Sequence, residues 1–138
     1  MRVALRPASV LLIAASAAVV GAGVWVLRHF DPNVAGSGFA SCLFHDLTGW
    51  YCPGCGTTRA LHALVHGDLA GVVAMNPLLP VLGVLLPAVF LQGVGRPLPL
   101  PPVVQAWLLS AKFWIALIVG FGLLRNLPWW PFSWLAPG

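Results

Sequence analysis

From Ala8 to Leu27 the chain runs without a charge and without a polar side chain larger than serine. At 1.5 Å rise per residue a helix of that length covers about 30 Å, the thickness of a bilayer's hydrocarbon core. A run this long and this apolar reads as a helix that crosses lipid. Arg2 and Arg6 precede it and Arg28 and His29 follow it, as cations anchor helix ends at a membrane surface. The rival reading is a cleaved signal peptide. Its apolar region is usually about 7–15 residues, and no small-x-small cleavage pattern ends this run, so a retained anchor is expected.

Composition extends the argument to the rest of the 138 residues, which suffice for one domain. Hydrophobic residues make up 59% and charged residues 7%, against about a quarter charged in a soluble domain. Such a chain cannot cover a water-facing surface. There is no Glu, and the only acids are Asp31, Asp46 and Asp68. The formal charge of +4 comes from scattered cations. With no Lys/Arg cluster to grip phosphates, nucleic acid is not an expected partner.

Two further apolar segments follow. One runs from about Gly71 to Gly95, with Asn76-Pro77, Pro80 and Pro87 inside it. Membrane helices tolerate such kinks, and Pro77 to Leu91 is its expected lipid-crossing part. The other runs from about Leu108 to Leu127, with Lys112 near its start and Arg125 near its end. Both cations are expected to snorkel outward along their aliphatic stems. Trp129, Trp130 and Trp134 then form an aromatic belt. The expected fold is an all-α, multi-pass integral membrane protein: one membrane domain over residues 1–138, with three transmembrane helices (about 8–27, 71–95 and 108–127) and a Cys-rich loop with a short amphipathic helix over 30–68. Arg2, Arg6, Arg96 and Lys112 fall on one side of the bilayer and Arg28, Arg59 and Arg125 on the other. By one charge, the positive-inside rule places the N-terminus in the cytoplasm and the cysteine loop outside.

The wet middle of the chain carries Cys52-Pro53-Gly54-Cys55-Gly56-Thr57-Thr58-Arg59, then His62 and His66. Cysteines three apart can place both sulfurs on one ion, and the glycine after the second lets backbone N–H groups approach the thiolates. Histidines at i and i+4 share a helix face, as bidentate metal binding requires. A helix from Thr57 to Gly67, capped by Thr57 or Thr58, would put Cys55, Arg59, His62 and His66 on one stripe about 60° wide. Three readings compete. The first is a structural zinc site from Cys52, Cys55, His62 and His66, with Cys42 as a substitute ligand; Arg59 opposes it unless Asp46 or Asp68 pairs with that cation. The second is a dithiol/disulfide, with Arg59 and the helix N-terminus lowering the Cys55 thiol. In the third, the cysteines merely pack and the histidines satisfy nearby carbonyls. Asn76-Pro77 reads as a kink, Trp50-Tyr51 as an interface anchor, and Asp46 and Asp68 as partners of Arg59 or turn caps. No nucleotide-binding or hydrolase motif is present.

Cys42-Leu43-Phe44, Leu47-Thr48-Gly49, Cys52 through Ala60, His66 through Leu69, Asn76-Pro77-Leu78 and Arg125-Asn126 occur in that order. This string resembles the family catalogued as domain of unknown function 2752, over roughly Asp31 to Asn126. The resemblance implies a small bacterial inner-membrane protein with several spans and a cysteine-bearing loop. It implies one unit from Cys42, Cys52, Pro53, Cys55, Gly56, Thr58, Arg59, Gly67, Asn76 and Pro77, and brings no activity with it. The expected function is a non-enzymatic accessory or assembly component, joined to a membrane partner or to its own copies, whose loop is held by zinc or a disulfide. The alternatives are a membrane thiol-disulfide oxidoreductase using Cys52 and Cys55, and an oligomeric transporter or proton path through Arg59, His62 and His66.

Overall fold

A computed structural model describes residues 7–34, 36–93, 95 and 98–137, with the side chains of 7–9, 12 and 13 excepted. These residues are helical, with no strand among them: α1 (Pro7–His29), α2 (Leu43–Thr48), α3 (Thr57–Val65), α4 (Leu69–Met75), α5 (Leu78–Gly93), α6 (Pro102–Leu108) and α7 (Ala111–Leu124), followed by a 3-10 turn at Phe132–Leu135. The cations Arg2, Arg6 and Arg96, on which the expected orientation turns, lie outside the described residues.

The apolar segments do not form three straight spans. Among the described residues no single helix is long and apolar enough to cross a membrane, and the apolar stretch of α1 counted from Ala14 to His29 is shorter than that. Two bent pairs reach the length and composition together: α4 with α5, bent by 101°, and α6 with α7, bent by 67°. The segment read as one helix from Gly71 to Gly95 therefore breaks at Asn76, whose backbone is extended (φ −155°, ψ 93°). The residue before a proline avoids the helical region because the ring of the proline collides with it. The segment read from Leu108 to Leu127 breaks at Ser110, which is also extended (φ −84°, ψ 121°) and leads into α7. The Trp114 indole N–H, donating to the Leu108 carbonyl at 2.8 Å, ties the two sides of that corner together.

Most of the deeply buried residues belong to the surroundings of the cysteine turn; Leu108, at the end of α6, is a further one. Cys55, Ala60, Val72, Asn76, Leu78 and Arg125 are all 6% exposed or less. They come from the turn before α3, from α3 and α4, from the α4–α5 break and from the end of α7. Around this small core the helices display large apolar side chains: Leu11, Val19, Val84, Phe90 and Ile115 are each more than 60% exposed.

Candidate metal centre

The turn Cys52–Cys55 is closed by the Cys55 N–H donating to the Cys52 carbonyl (3.0 Å), and the Thr57 N–H donates to Gly54 (3.1 Å). Gly56 then takes a left-handed conformation (φ 80°) and is itself the N-cap of α3, in place of Thr57 or Thr58. A side chain here would be strained, and a Cβ would also run into the Met75 carbonyl oxygen. The Thr57 hydroxyl is free of capping because it accepts from the Asn76 amide at 3.1 Å. Thr58 is exposed.

Two side chains from outside the turn hold its carbonyls. The Asn76 amide donates to Pro53 (3.1 Å) and Cys55 (3.3 Å), while its own carbonyl accepts from the Leu78 N–H (3.1 Å). Asn76 thus both breaks the helix and staples the cysteine turn to the corner. The Arg125 Nη1 donates to Cys52 (2.8 Å), Pro53 (3.3 Å) and Cys55 (3.1 Å). Arg125 does not snorkel outward: it is 1% exposed, with its guanidinium 4.9 Å from the Phe121 ring centroid. Its neighbour Asn126 brackets the backbone of Tyr51, accepting from the Tyr51 N–H and donating to the Tyr51 carbonyl, each at 2.8 Å. α7 comes this close because Gly122 has no side chain; a Cβ there would stand 2.9 Å from the Pro53 ring.

The turn faces Cys42, which sits at the N-cap of α2. Cys42 Sγ lies 3.4 Å from Cys52 Sγ, Cys52 Sγ lies 3.1 Å from Cys55 Sγ, and all three sulfurs are within 4.8 Å of one another. Sulfurs sharing a tetrahedral zinc at about 2.3 Å stand about 3.8 Å apart, so the two close pairs would each have to open by less than about 1 Å. The backbone amide of Cys52 donates to Cys55 Sγ at 3.2 Å. The His45 amide, pointing at Cys42 without a hydrogen bond of standard geometry, and the neighbouring thiols hold the Cys42 thiol below the ordinary cysteine range. Burial, reinforced by hydrogen bonds from Cys52 and Cys42, pushes the Cys55 thiol up to about 12. Without a cation Cys55 stays protonated.

The charge arrangement is unusual. Arg125 Nε and Nη2 are buried and have no hydrogen-bond partner among the described residues. No carboxylate pairs with Arg125 among the described residues; the one close ionic contact there is His62–Asp31 at 3.7 Å. A buried cation with only neutral partners is strongly disfavoured. Three thiolates around a divalent ion carry one net negative charge, which would neutralise the guanidinium above them.

The remaining sequence candidates stand elsewhere. His62 and His66 do not join the sulfur cluster. The His62 Nδ1 is 2.7 Å from the Leu27 carbonyl, joining α3 to the end of α1, and the His66 Nδ1 is 2.8 Å from the His62 carbonyl. Their rings pack on each other with centroids 4.3 Å apart. Asp68 caps α4 by accepting from the Gly71 N–H at 2.8 Å, and Asp46 accepts from the Ser41 hydroxyl. Neither pairs with Arg59, which is exposed at the first turn of α3. Gly67 supplies the left-handed turn (φ 79°) between α3 and α4, and Pro77 the start of the α5 corner.

Residues 42–90 match the family model described as "Protein of unknown function (DUF2752)". Over that segment the chain is similar to the DUF2752 family. No curated protein and no solved structure matches the chain. The matched segment includes all three cysteines, Gly56 and Asn76, and ends within α5. Arg125 and Asn126, which complete the site's enclosure, lie beyond the matched segment. Sequence reading passed over Arg125 as a metal-site residue because a cation near the end of an apolar helix ordinarily points to the interface. The available signal was its position beside Asn126 in the ordered string of motifs.

Proposed function

We propose that this chain is a small membrane-embedded accessory component organised around a zinc–thiolate centre formed by Cys42, Cys52 and Cys55. The observation that carries the reading is the convergence of three sulfurs beneath a buried guanidinium that has no carboxylate partner among the described residues. Soft thiolates select zinc among the common divalent ions. The thiolates would be anchored by two elements: Cys42 by α2, and Cys52 and Cys55 by the turn that Asn76 and Arg125 hold. A metal here would pin the loop before α2 to α3, α5 and α7, in a protein with little other core. The low charge content, the exposed apolar side chains and the two bent helix pairs support lipid as its surroundings.

The test is metal content by mass spectrometry on detergent-purified chain, with thiols counted in parallel after denaturation. One zinc per chain and three titratable thiols are expected, and Cys42→Ser should lose the metal as fully as Cys55→Ser. Metal-free protein with a single titratable thiol would overturn the zinc reading in favour of a Cys52 disulfide. Retention of zinc in Cys42→Ser but not in a His62→Ala, His66→Ala double variant would move the centre to the histidines.

A further inference from the structure

Three protein sulfurs leave a tetrahedral ion one position short. Structural zinc sites are closed by four protein ligands, whereas sites that bind exogenous ligands keep a position open. Beside the cluster is a cavity of about 660 Å³ between the 32–46 segment and the start of α3, a size that accommodates a small molecule. Cys42 and Cys55 both line it. So do His45, Tyr51, Thr58 and Arg59. The His45 ring stacks on Tyr51 with centroids 4.5 Å apart, and its buried Nδ1 has no hydrogen-bond partner among the described residues. Arg59 makes no ion pair among the described residues.

α3 begins at this cavity. The Thr57 and Ala60 amides are bonded to Gly54 and Gly56, while a helix's first amides and the positive end of its dipole attract anions. The lining therefore combines the soft sulfurs of Cys42 and Cys55 with Arg59, Thr58 and a helix N-terminus, with no Asp or Glu other than Asp46. Asp46 is occupied by the Ser41 hydroxyl.

We infer that the metal centre is an open one that takes a small organic anion from this cavity, a thiolate or carboxylate donor to the ion whose charge is met by Arg59 and the start of α3. The inference rests on the metal centre proposed above and adds its fourth ligand. His45 lines the cavity but stands outside the cluster of ligand atoms, so it does not close the site.

Cobalt(II) reports the fourth ligand through its visible absorption. The chain in detergent is loaded with cobalt, desalted, and titrated with mercaptoacetate or with 2-mercaptoethanol, which lacks the carboxylate. Mercaptoacetate should add a sulfur-to-cobalt charge-transfer band and shift the ligand-field bands saturably, with cobalt still at one per chain after desalting. Arg59→Ala should weaken mercaptoacetate by about tenfold, the loss of one charge-assisted contact, and leave 2-mercaptoethanol unchanged. Bound cobalt whose spectrum neither thiol alters would overturn the open site while leaving the metal centre standing. So would a ligand-free spectrum that changes in His45→Ala, because His45 would then be the fourth ligand. Cobalt stripped from the chain by mercaptoacetate also counts against it. Failure to take up cobalt or zinc at all would remove the metal centre itself.

Discussion

Gly56 is the residue on which the site turns most sharply. It carries a positive φ and packs against the Met75 carbonyl, so any side chain meets both backbone strain and a rigid neighbour. Gly56→Ala is expected to destabilise the chain by about 2 kcal/mol or more, read as a lower thermal midpoint in detergent. By contrast Gly54, where a Cβ would meet only the Cys52 sulfur at 3.8 Å, should accept Ala with little loss. Equal effects at the two glycines would refute this account of the turn. Asn76 acts at the same scale. Its amide serves three acceptors and its carbonyl one donor, and Asn76 itself is 2% exposed. Asn76→Ala leaves that donor unpaired, at a cost of about 1–3 kcal/mol. Asn76→Asp should be worse, since a carboxylate cannot donate to the carbonyls of Pro53 and Cys55. A variant as stable as the parent in a chemical-denaturation series would show that the staple is dispensable.

Among the elements, the corners matter more than the helices. α5 has 16 residues and α7 has 14, about 24 Å and 21 Å of helix, each short of the hydrocarbon thickness. The breaks at Asn76 and Ser110 turn each apolar segment instead of letting it run straight. The first delivers Asn76 to the cysteine turn, and α7 ends with Arg125 and Asn126 on the same turn. Packing of α7 on Pro53 depends on Gly122. Gly122→Leu is expected to push α7 away and draw Arg125 off its three carbonyls. Greater protease or thiol-reagent access to Cys52 and Cys55 would report this, while the exposed Leu123→Ala should leave both unchanged. No difference between the two would mean that α7 is not held there.

At the scale of the whole molecule the deciding quantity is charge. The chain buries one guanidinium against neutral carbonyls and three thiols, in a protein with three carboxylates in all. If the thiols are metal-bound thiolates, Arg125 and the centre neutralise each other. Arg125→Met should then release zinc to a competing chelator about tenfold faster than the parent at a temperature where both remain folded, with Arg125→Lys in between. If the thiols are uncharged, Arg125→Met should be neutral or stabilising, since replacing a buried cation by an apolar side chain of similar volume removes its desolvation penalty. The same pair of measurements therefore distinguishes a charged centre from a packed one.

What the sequence determined by itself is local. Charge poverty and apolar runs dictate helices, and helices form, although two of the three expected spans are bent pairs. Cys52-Pro53-Gly54-Cys55-Gly56 favours a tight turn into a helix, because the proline fixes its φ and Gly56 admits the left-handed backbone the turn needs, and that turn is present. Gly67 and Asp68 end one helix and start the next, as their left-handed and capping tendencies require. The partner of the cysteine pair was decided only by the tertiary structure. The i, i+4 spacing of His62 and His66 satisfies a metal's geometry on paper, but spacing along a helix does not say which way its face points, and this face meets the end of α1. Cys42 and Arg125 are distant from the turn in sequence, and nothing local fixes their approach. Two corners and a missing side chain at Gly122 do so, because the depth of a buried charge and the meeting of three sulfurs depend on how helices pack rather than on whether they form.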